Sequence, residues 1–347
     1  MMRPHKTDHF DSCPSRAGGF SLVELMVSIT IGLMLVAGMA TLVSNNSAHR
    51  AELEKSGRQI ENGRYAMQLL SDDLRHAGYY GQYYALGSVP AVLPDPCSTT
   101  LTDLNAAMPL AIQGYDAPTT VPTALATCLG DANHADGTDI LVVRRAATVV
   151  AGSMVAGRVY LQTRSDTVVL NDGSSAAATW SLKKKDNITS ADIRQFVVRV
   201  YFVSPCSVPA GGGLSCTGAS DDGGAPIPTL KRLELIDSGG TRSMTIVPLV
   251  EGIENLQIDY GTDSLSTGTP NNFVTNPSDT TAWGNVVAAR LQLVARSIEP
   301  TAGFVDTKTY NMGLAGTFTP AAAVQKYKRH AYTQFVRLEN PSARRGQ

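Results

Sequence analysis

The N-terminal part of the chain places one carboxylate, Glu24, in an otherwise apolar run from Phe20 to Val43. An ionised carboxylate inside a membrane helix costs about 2.5–3.5 kcal/mol on insertion scales, so such a group is retained where it finds a partner. Small residues, Ala17 to Gly19, directly precede the run and are typical of a protease cleavage site. These residue types predict processing and ion pairing in this segment.

The cysteines predict a second kind of chemistry, disulfide formation. Five are present, and an odd number is awkward in an oxidising compartment. Removal of the N-terminal segment takes away Cys13. Four then remain: Cys97, Cys128, Cys206 and Cys216. Four cysteines allow three pairings. The short, glycine-rich interval favours Cys206 with Cys216, which leaves Cys97 with Cys128, but the sequence does not choose among the three. A zinc site is the rival interpretation. The absence of a CxxC spacing argues against it, and the HxxxH pair that the sequence does contain, His5 and His9, lies in the leader.

Catalytic motifs are not recognisable in the sequence. GxSxG, HExxH and P-loop patterns are missing. Ser181 and Lys184 match the SxxK spacing, but the elements that accompany it in penicillin-reactive enzymes are missing, which favours a surface strand end. We therefore expect no enzymatic activity.

Two acidic turns carry oxygen ligands of the kind that calcium prefers. The first contains Asp131, Asn133, Asp136 and Asp139, and the second contains Asp259 and Asp263. The spacing in the first turn does not match an EF-hand loop, and solvated turn carboxylates explain both turns. We expect no cofactor, and calcium stays open as the alternative.

Length and composition indicate a folded body around these residues. The chain has 347 residues, of which 43% are apolar and 17% charged, which is enough for a substantial core. Its net charge of −1 gives no reason to expect nucleic acid as a partner. Abundant glycine and proline predict a turn-rich, mostly β body.

The segment Phe20–Val43 is predicted to be a transmembrane helix, because it is long enough to cross roughly 30 Å of hydrocarbon. An ordinary signal peptide has a shorter apolar core, and its small residues follow that core instead of preceding it. Arg3, Lys6 and Arg16 make the leader, residues 1–19, basic. The leader should therefore stay cytoplasmic while the bulk of the chain is exported.

The residues Gly19-Phe20-Ser21-Leu22-Val23-Glu24 resemble the class III signal of type IV pilins and pseudopilins. The resemblance implies that a prepilin peptidase cuts after Gly19 and that the new amine of Phe20 is methylated. Glu24 becomes the fifth residue of the mature chain. By the same resemblance its carboxylate pairs with the N-terminal amine of a neighbouring subunit during filament assembly.

Residues 44–77 are predicted to be an amphipathic continuation of the first helix, with apolar residues repeating every seven positions. The repeat consists of Leu53, Ile60, Met67 and Leu74. Gly78 marks the end of this helix. Gly57 and Gly63 are expected to weaken it by about 1 kcal/mol each relative to alanine.

Residues 78–347 are predicted to form a β-rich head, because short apolar stretches alternate with turn clusters. The candidate strands are Asp139–Arg144, Met154–Gln162, Ile193–Val203, Leu230–Ile236, Met244–Leu249, Leu256–Tyr260, Val286–Val294 and Tyr332–Leu338. The predicted fold class is α+β and pilin-like, with a long N-terminal helix on a large β-rich head. The size of the head allows two subdomains without a recognisable boundary.

Finer features resemble the PilW family of minor pilins. The run Asp73 to Tyr79 resembles the end of the first helix in that family, and "LVEGIENLQIDYGTD" is the most distinctive stretch of the head. Asp72, Asp73 and Arg75 are also consistent with an ordinary solvated helix end. Many major pilins carry a helix-breaking proline where this chain has Thr41, which favours a minor subunit.

The resemblance implies a minor pilin that primes assembly of the type IV pilus and is incorporated near its tip, supporting twitching motility and adhesion. The implied partners are prepilin peptidase, other minor pilins, the major pilin, a tip adhesin and, before assembly, inner-membrane lipid. The implied location is the inner membrane with a periplasmic head, and then the pilus. The alternative is a minor, GspJ-like pseudopilin of a type II secretion system.

Overall fold

The computed structural model describes residues 19–346. The chain divides into two compact units, residues 1–53 and 54–347, and each is described by itself. The described part of the first unit is mainly the N-terminal portion of one long helix. The second unit contains the remainder of that helix and a mixed, β-rich head. The predicted α+β class, with a long N-terminal helix and a large β-rich head, is confirmed.

The helices α1 to α4 span Leu22–His76, Leu101–Ala106, Thr280–Gly284 and Glu339–Arg345. The strands β1 to β7 span Ile112–Tyr115, Ile140–Ala146, Val159–Thr163, Val168–Asp172, Ile193–Ser204, Thr229–Ser238 and Thr241–Glu251. The strands β8 to β13 span Ile253–Thr262, Asn272–Val274, Val286–Arg296, Tyr310–Asn311, Thr317–Phe318 and Arg329–Arg337. Each of the eight predicted strands overlaps one of these, whereas the other five, β1, β4, β9, β11 and β12, are not among the predicted strands.

The strands form two larger sheets and a small hairpin, with antiparallel pairing throughout the described residues. The first sheet has the order β1-β2-β5-β3-β4, with β6 also paired to β5 and β7 paired to β6. The long strand β5 therefore carries two different neighbours along one edge. The second sheet has the order β13-β10-β8-β9.

Local chain geometry explains where the main elements end. Gly78 has a φ of +68°, a left-handed conformation that glycine adopts without penalty and that stops α1. Gly239 and Gly240 have φ values of +62° and +86°, as a two-residue turn between β6 and β7 requires. The polar residues 44–47 do not interrupt α1.

The main core of the second unit lies under the C-terminal part of α1. Its helix residues are Ala66, Met67, Leu70, Leu74 and Ala77, and they meet apolar side chains from both sheets. Leu141 and Tyr201 come from the first sheet, and Leu256, Leu291 and Leu293 come from the second. Burial of this face supplies the main hydrophobic stabilisation between helix and sheets.

The predicted apolar repeat is correct only in its second half. Met67 and Leu74 are buried, but Leu53 is 73% exposed and Ile60 is 42% exposed. Gln59 is buried instead, and its Nε2 donates to Ala295 O at 2.9 Å. An ideal helix drifts about 20° per heptad, so a seven-residue repeat does not stay on one buried face.

A second core covers the opposite face of the first sheet. Tyr80, Leu104, Leu125 and Leu129, from the segment after α1, pack against that face of the sheet.

The C-terminal segment contacts the chain directly after α1, where Asn340 Nδ2 donates to Ala77 O at 3.2 Å.

Candidate assembly site

The N-terminal segment has no regular secondary structure from Gly19 to Ser21 and becomes helical at Leu22. Glu24 lies in the first turn of α1, where a carboxylate interacts favourably with the positive end of the helix dipole. The side chain is exposed and has no ion pair within the described residues. Its charge is therefore available to another molecule.

The residues that follow Glu24 make a helix that is apolar on all sides. Every large apolar side chain between Phe20 and Val43 is exposed. In the described residues, α1 is the one helix long and apolar enough to cross a membrane. The hydroxyls of Ser28, Thr30 and Thr41 donate to carbonyl oxygens three or four residues earlier, at 2.7–2.8 Å. No hydroxyl of these three residues would thus enter hydrocarbon unsatisfied.

In the second unit, Asp73 fastens the end of α1 to the first sheet. Asp73 Oδ1 accepts from Arg145 Nε at 2.9 Å and from Arg199 Nη1 at 2.7 Å, and Oδ2 accepts from the Tyr201 hydroxyl. Burial raises the pKa of Asp73, but Arg145, Arg199 and Tyr201 together hold it below its usual value. This carboxylate is therefore a charged structural anchor.

The prediction of a solvated helix end is correct for Asp72 and Arg75, which are exposed, and wrong for Asp73, which is 4% exposed. A signal for its partners is present in the sequence. Arg145 and Arg199 each come after a run of apolar residues in a strand, and a charge in a largely buried strand needs a partner.

The four remaining cysteines form the two pairs that the sequence favours. Cys97 is bonded to Cys128 and Cys206 to Cys216, with Cα atoms 5.6 and 5.8 Å apart. Cys13 lies outside the described residues. These pairings leave no thiolate for the rival zinc site. The one cluster of metal-type ligands within residues 19–346 is Cys206, Cys216 and Asp221, and the disulfide occupies two of its members.

The loop closed by Cys206 and Cys216 is fixed by a buried carboxylate. Asp221 accepts from the backbone N–H groups of Ala210, Thr217 and Gly218 at 2.7–2.8 Å. Burial raises its pKa, but these N–H groups bring it down to about 2. The loop is therefore ordered by hydrogen bonds to an ionised side chain as well as by the disulfide.

The acidic turns considered for calcium use their side chains internally. Asp131 Oδ1 accepts from Val121 N at 2.7 Å, and Asn133 Oδ1 accepts from Cys216 N at 3.0 Å. Asp139 accepts from Ala117 N at 2.8 Å and from Ile258 N at 2.7 Å, which joins the start of β2 to β8. Asp136 is exposed.

The carboxylates considered in the second acidic turn also accept hydrogen bonds from within the protein, Asp263 from its own turn and Asp259 from other segments. Asp263 Oδ2 accepts from Gly268 N at 2.8 Å. Asp259 Oδ1 accepts from Leu314 N at 3.1 Å, and its Oδ2 accepts from Gln292 Nε2 at 2.9 Å. The expectation of no cofactor, with calcium as the alternative, stays a prediction.

Comparison with known proteins agrees with these features. Residues 14–40 match the model of the prokaryotic N-terminal methylation motif, and residues 217–340 match the model described as Type IV Pilus-assembly protein W. A type IV-like pilin from Thermus thermophilus is similar in structure at 14% identity and a TM-score of 0.22, over 54% of this chain and 86% of that pilin. No curated protein matches the sequence significantly.

The methylation motif, the apolar helix and the β-rich head define a type IV pilin-like protein. Within that class, residues 217–340 are similar to the PilW family of pilus-assembly proteins.

Proposed function

We propose that this protein is a minor pilin that primes assembly of the type IV pilus and is incorporated at or near its tip. The observation that carries the proposal is the exposed, unpaired Glu24 in the first turn of an apolar helix directly after Gly19-Phe20. Pilus-dependent motility and adhesion then depend on this subunit indirectly, and the protein has no catalytic role and needs no cofactor.

The proposed mechanism begins in the inner membrane, where the segment Phe20–Val43 holds the subunit in lipid with its head in the periplasm. Prepilin peptidase removes residues 1–19 and the amine of Phe20 is methylated. The carboxylate of Glu24 then pairs with the N-terminal amine of a neighbouring pilin. A charge left alone in hydrocarbon costs several kcal/mol, so this pairing favours one axial register over its neighbours.

The large head supports a position at the tip, because a subunit at the tip is free of neighbours on one side. Its partners there would be other minor pilins, the major pilin below them and a tip adhesin.

A deletion strain tests the proposal. Surface pili are counted by electron microscopy, and export of folded secreted enzymes is measured in the same cells. We expect loss of pili with secretion intact, restored by the wild-type gene. Loss of secretion with normal pili would overturn the pilus assignment and place the subunit in a type II pseudopilus.

A further inference from the structure

The last strand of the second sheet, β13, has an open edge. On one side it pairs with β10 over nine consecutive residue pairs without a bulge. On the other side, the described residues provide no backbone partner. Leu338 N donates to Val287 O and Ser297 N donates to Lys328 O, one position beyond the two ends of this ladder. Because hydrogen-bonded pairs alternate in an antiparallel ladder, the backbone N–H and C=O groups of the even-numbered residues of β13 face β10. Ala331, Thr333 and Phe335 therefore direct their N–H and C=O groups outward.

The middle of this edge lacks the usual protection against strand pairing. Natural sheets protect long edges with charged side chains, proline, bulges or a covering element. β13 has no proline or bulge, its two arginines lie at its ends, and Ala331, Thr333 and Phe335 between them are exposed. The edge is thus a ready template for one more strand.

Helix α1 runs beside this strand and forms the wall of a groove. The Tyr332 hydroxyl donates to Ile60 O at 3.2 Å, and Asn340 Nδ2 donates to Ala77 O at 3.2 Å. Helix and strand therefore advance together in the same direction. The groove between them has a volume of about 450 Å³ and is lined on the strand side by Tyr332, Thr333 and Gln334.

The helix wall of the groove is suited to carboxylates. Arg64 and Arg75 line it, are exposed, and have no ion pair within the described residues. Between them, Ser71 is 2% exposed and its Oγ has no hydrogen-bond partner. One carboxylate, Asp72, also lines the groove, so two cations face one anion there.

The spacing of the two arginines fits an extended peptide. Eleven residues of helix separate them, or about 16 Å at 1.5 Å per residue. Two side chains on the same face of a strand, four residues apart, are separated by about 13 Å. The length of an arginine side chain covers the remaining distance.

We propose that this groove binds an extended, acidic segment of another protein, which adds as a strand to the open edge of β13. The backbone of the segment would bond to Ala331, Thr333 and Phe335, and its carboxylates would meet Arg64 and Arg75. This recognition mode takes affinity from main-chain bonds and specificity from side-chain contacts. A second copy of β13 fits poorly, because this strand contains no carboxylate that could meet Arg64 and Arg75. The proposal does not depend on the assembly role above.

A direct test uses the full chain in detergent micelles and the fluorescein-labelled peptide acetyl-SEVTVES-amide, followed by fluorescence anisotropy. We expect saturable binding that weakens with salt. A peptide with lysine in place of both glutamates should bind at least about tenfold more weakly. A peptide with alternate backbone amides methylated should also lose binding, because it lacks the donors that a strand needs.

Two sets of variants locate the site. Thr333→Pro removes an outward N–H but no bond to β10, and should weaken binding by about tenfold or more, whereas Thr333→Val keeps the N–H and should bind like wild type. The double variant Arg64→Gln/Arg75→Gln should weaken binding by about tenfold and reduce its salt dependence. Arg158→Gln, at an exposed arginine outside the groove, is the control.

Circular dichroism and the unfolding midpoint establish that each variant is folded. Absence of binding by the acidic peptide would overturn the proposal. Equal binding of the methylated peptide, or equal affinity of Thr333→Pro and Thr333→Val, would exclude strand addition. Concentration-dependent dimers lost in Thr333→Pro would identify a second copy as the occupant and overturn the acidic-segment assignment.

Discussion

Asp73 Oδ1 lies 2.7 Å from Arg199 Nη1 and links the last turn of α1 to β5 in the first sheet. Asp73→Asn would leave two largely buried guanidinium groups without a carboxylate. We expect it to lower the free energy of unfolding by about 2–4 kcal/mol, because removing one partner of a buried ion pair strands the other. Asp72→Asn, one residue earlier and exposed, should change stability by less than about 0.5 kcal/mol. Urea unfolding of the full chain in detergent measures both.

The pH dependence of this effect has a definite sign. The pKa of Asp73 is lower in the folded state than its usual value of 3.8, so its stabilisation is present above about pH 4 and is lost as the pH falls through the folded pKa. The stability difference between wild type and Asp73→Asn should therefore shrink on acidification. If the stability difference between wild type and Asp73→Asn stays constant down to pH 3, the charge on Asp73 is not what stabilises the fold.

Asp139 should have the opposite effect on the pH dependence of stability. Burial raises its pKa to about 7, with Asp116 and Asp259 adding like-charge repulsion against the two N–H groups it accepts from. The folded state therefore holds a proton that the unfolded state releases above about pH 4, and stability falls as the pH rises from 4 to 7. Between pH 5 and pH 8 we expect a loss of about 2 kcal/mol from this group. Urea midpoints of wild type and Asp139→Asn across that range measure it.

The contribution of Asp139 has to be measured as the difference in stability between Asp139→Asn and wild type at each pH, because other groups titrate in the same range. Burial lowers the pKa of His134, so this imidazole contributes stability that is lost as the pH falls below about 6.5. Asp72→Asn, at the exposed carboxylate of α1 that faces neither Asp139 nor His134, should keep the wild-type slope. A wild-type slope in Asp139→Asn would mean that another group carries the effect.

Two glycines of α1 should respond in opposite ways to alanine. A Cβ atom at Gly57 meets nothing within 4 Å, so Gly57→Ala should stabilise the helix by up to about 1 kcal/mol. A Cβ atom at Gly63 would lie 2.2 Å from the Tyr332 ring, so Gly63→Ala should destabilise the protein by about 1–3 kcal/mol despite the same gain in propensity. Thermal unfolding measures both. Equal effects would mean that Tyr332 moves aside freely.

Glu24→Ala should leave processing intact and abolish incorporation into pili. The physical reason is loss of the carboxylate that pairs with an amine in the neighbouring subunit. Immunoblots of sheared pili and of membranes measure the two steps, and Glu54→Ala, at an exposed glutamate of the same helix, is the control. The intact mass of the membrane form should lack residues 1–19 and carry one added methyl group. Normal incorporation of the Glu24 variant would refute the pairing mechanism.

The two disulfides should differ in their contribution to stability. The pair Cys97–Cys128 closes 31 residues and the pair Cys206–Cys216 closes 10. Chain entropy then predicts losses of about 4 and about 3 kcal/mol on removal. Paired serine variants at each bridge, unfolded in urea, test the order. The reverse order would indicate that packing at Cys206 and Cys216 outweighs loop closure.

The sequence predicts the long helix and the eight main strands because these depend on local composition and periodicity. It does not predict that β5 holds β6 and β3 along one edge, since that branching depends on pairing between distant segments. The exposure of Ile60 is also absent from the pattern, because a seven-residue repeat drifts around the helix, and Gln59 rather than Ile60 faces β10 at this turn.

The residues of the candidate site also divide into those that local sequence predicts and those that depend on distant partners. Gly19, Phe20 and Glu24 lie within six consecutive residues and are recognisable together, although their roles in processing and assembly stay predictions. Asp73, by contrast, acts with Arg145, Arg199 and Tyr201, which lie 72 to 128 residues away in the chain. Only the unusual charges after apolar runs in two strands indicate that such partners exist.

The hydrogen bonds between the C-terminal segment and the residues directly after α1 have a consequence for the order of folding. Ala77 O and Gly78 O receive their hydrogen bonds from Asn340 and Arg344, more than 260 residues later. Local bonds from Ala77 N to Leu74 O and from Tyr79 N to His76 O complete the helix itself, but the two carbonyl groups after it lack these partners until synthesis has passed Arg344. Contacts of such long sequence separation form slowly, so the turn after α1 is among the last parts of the head to become fixed.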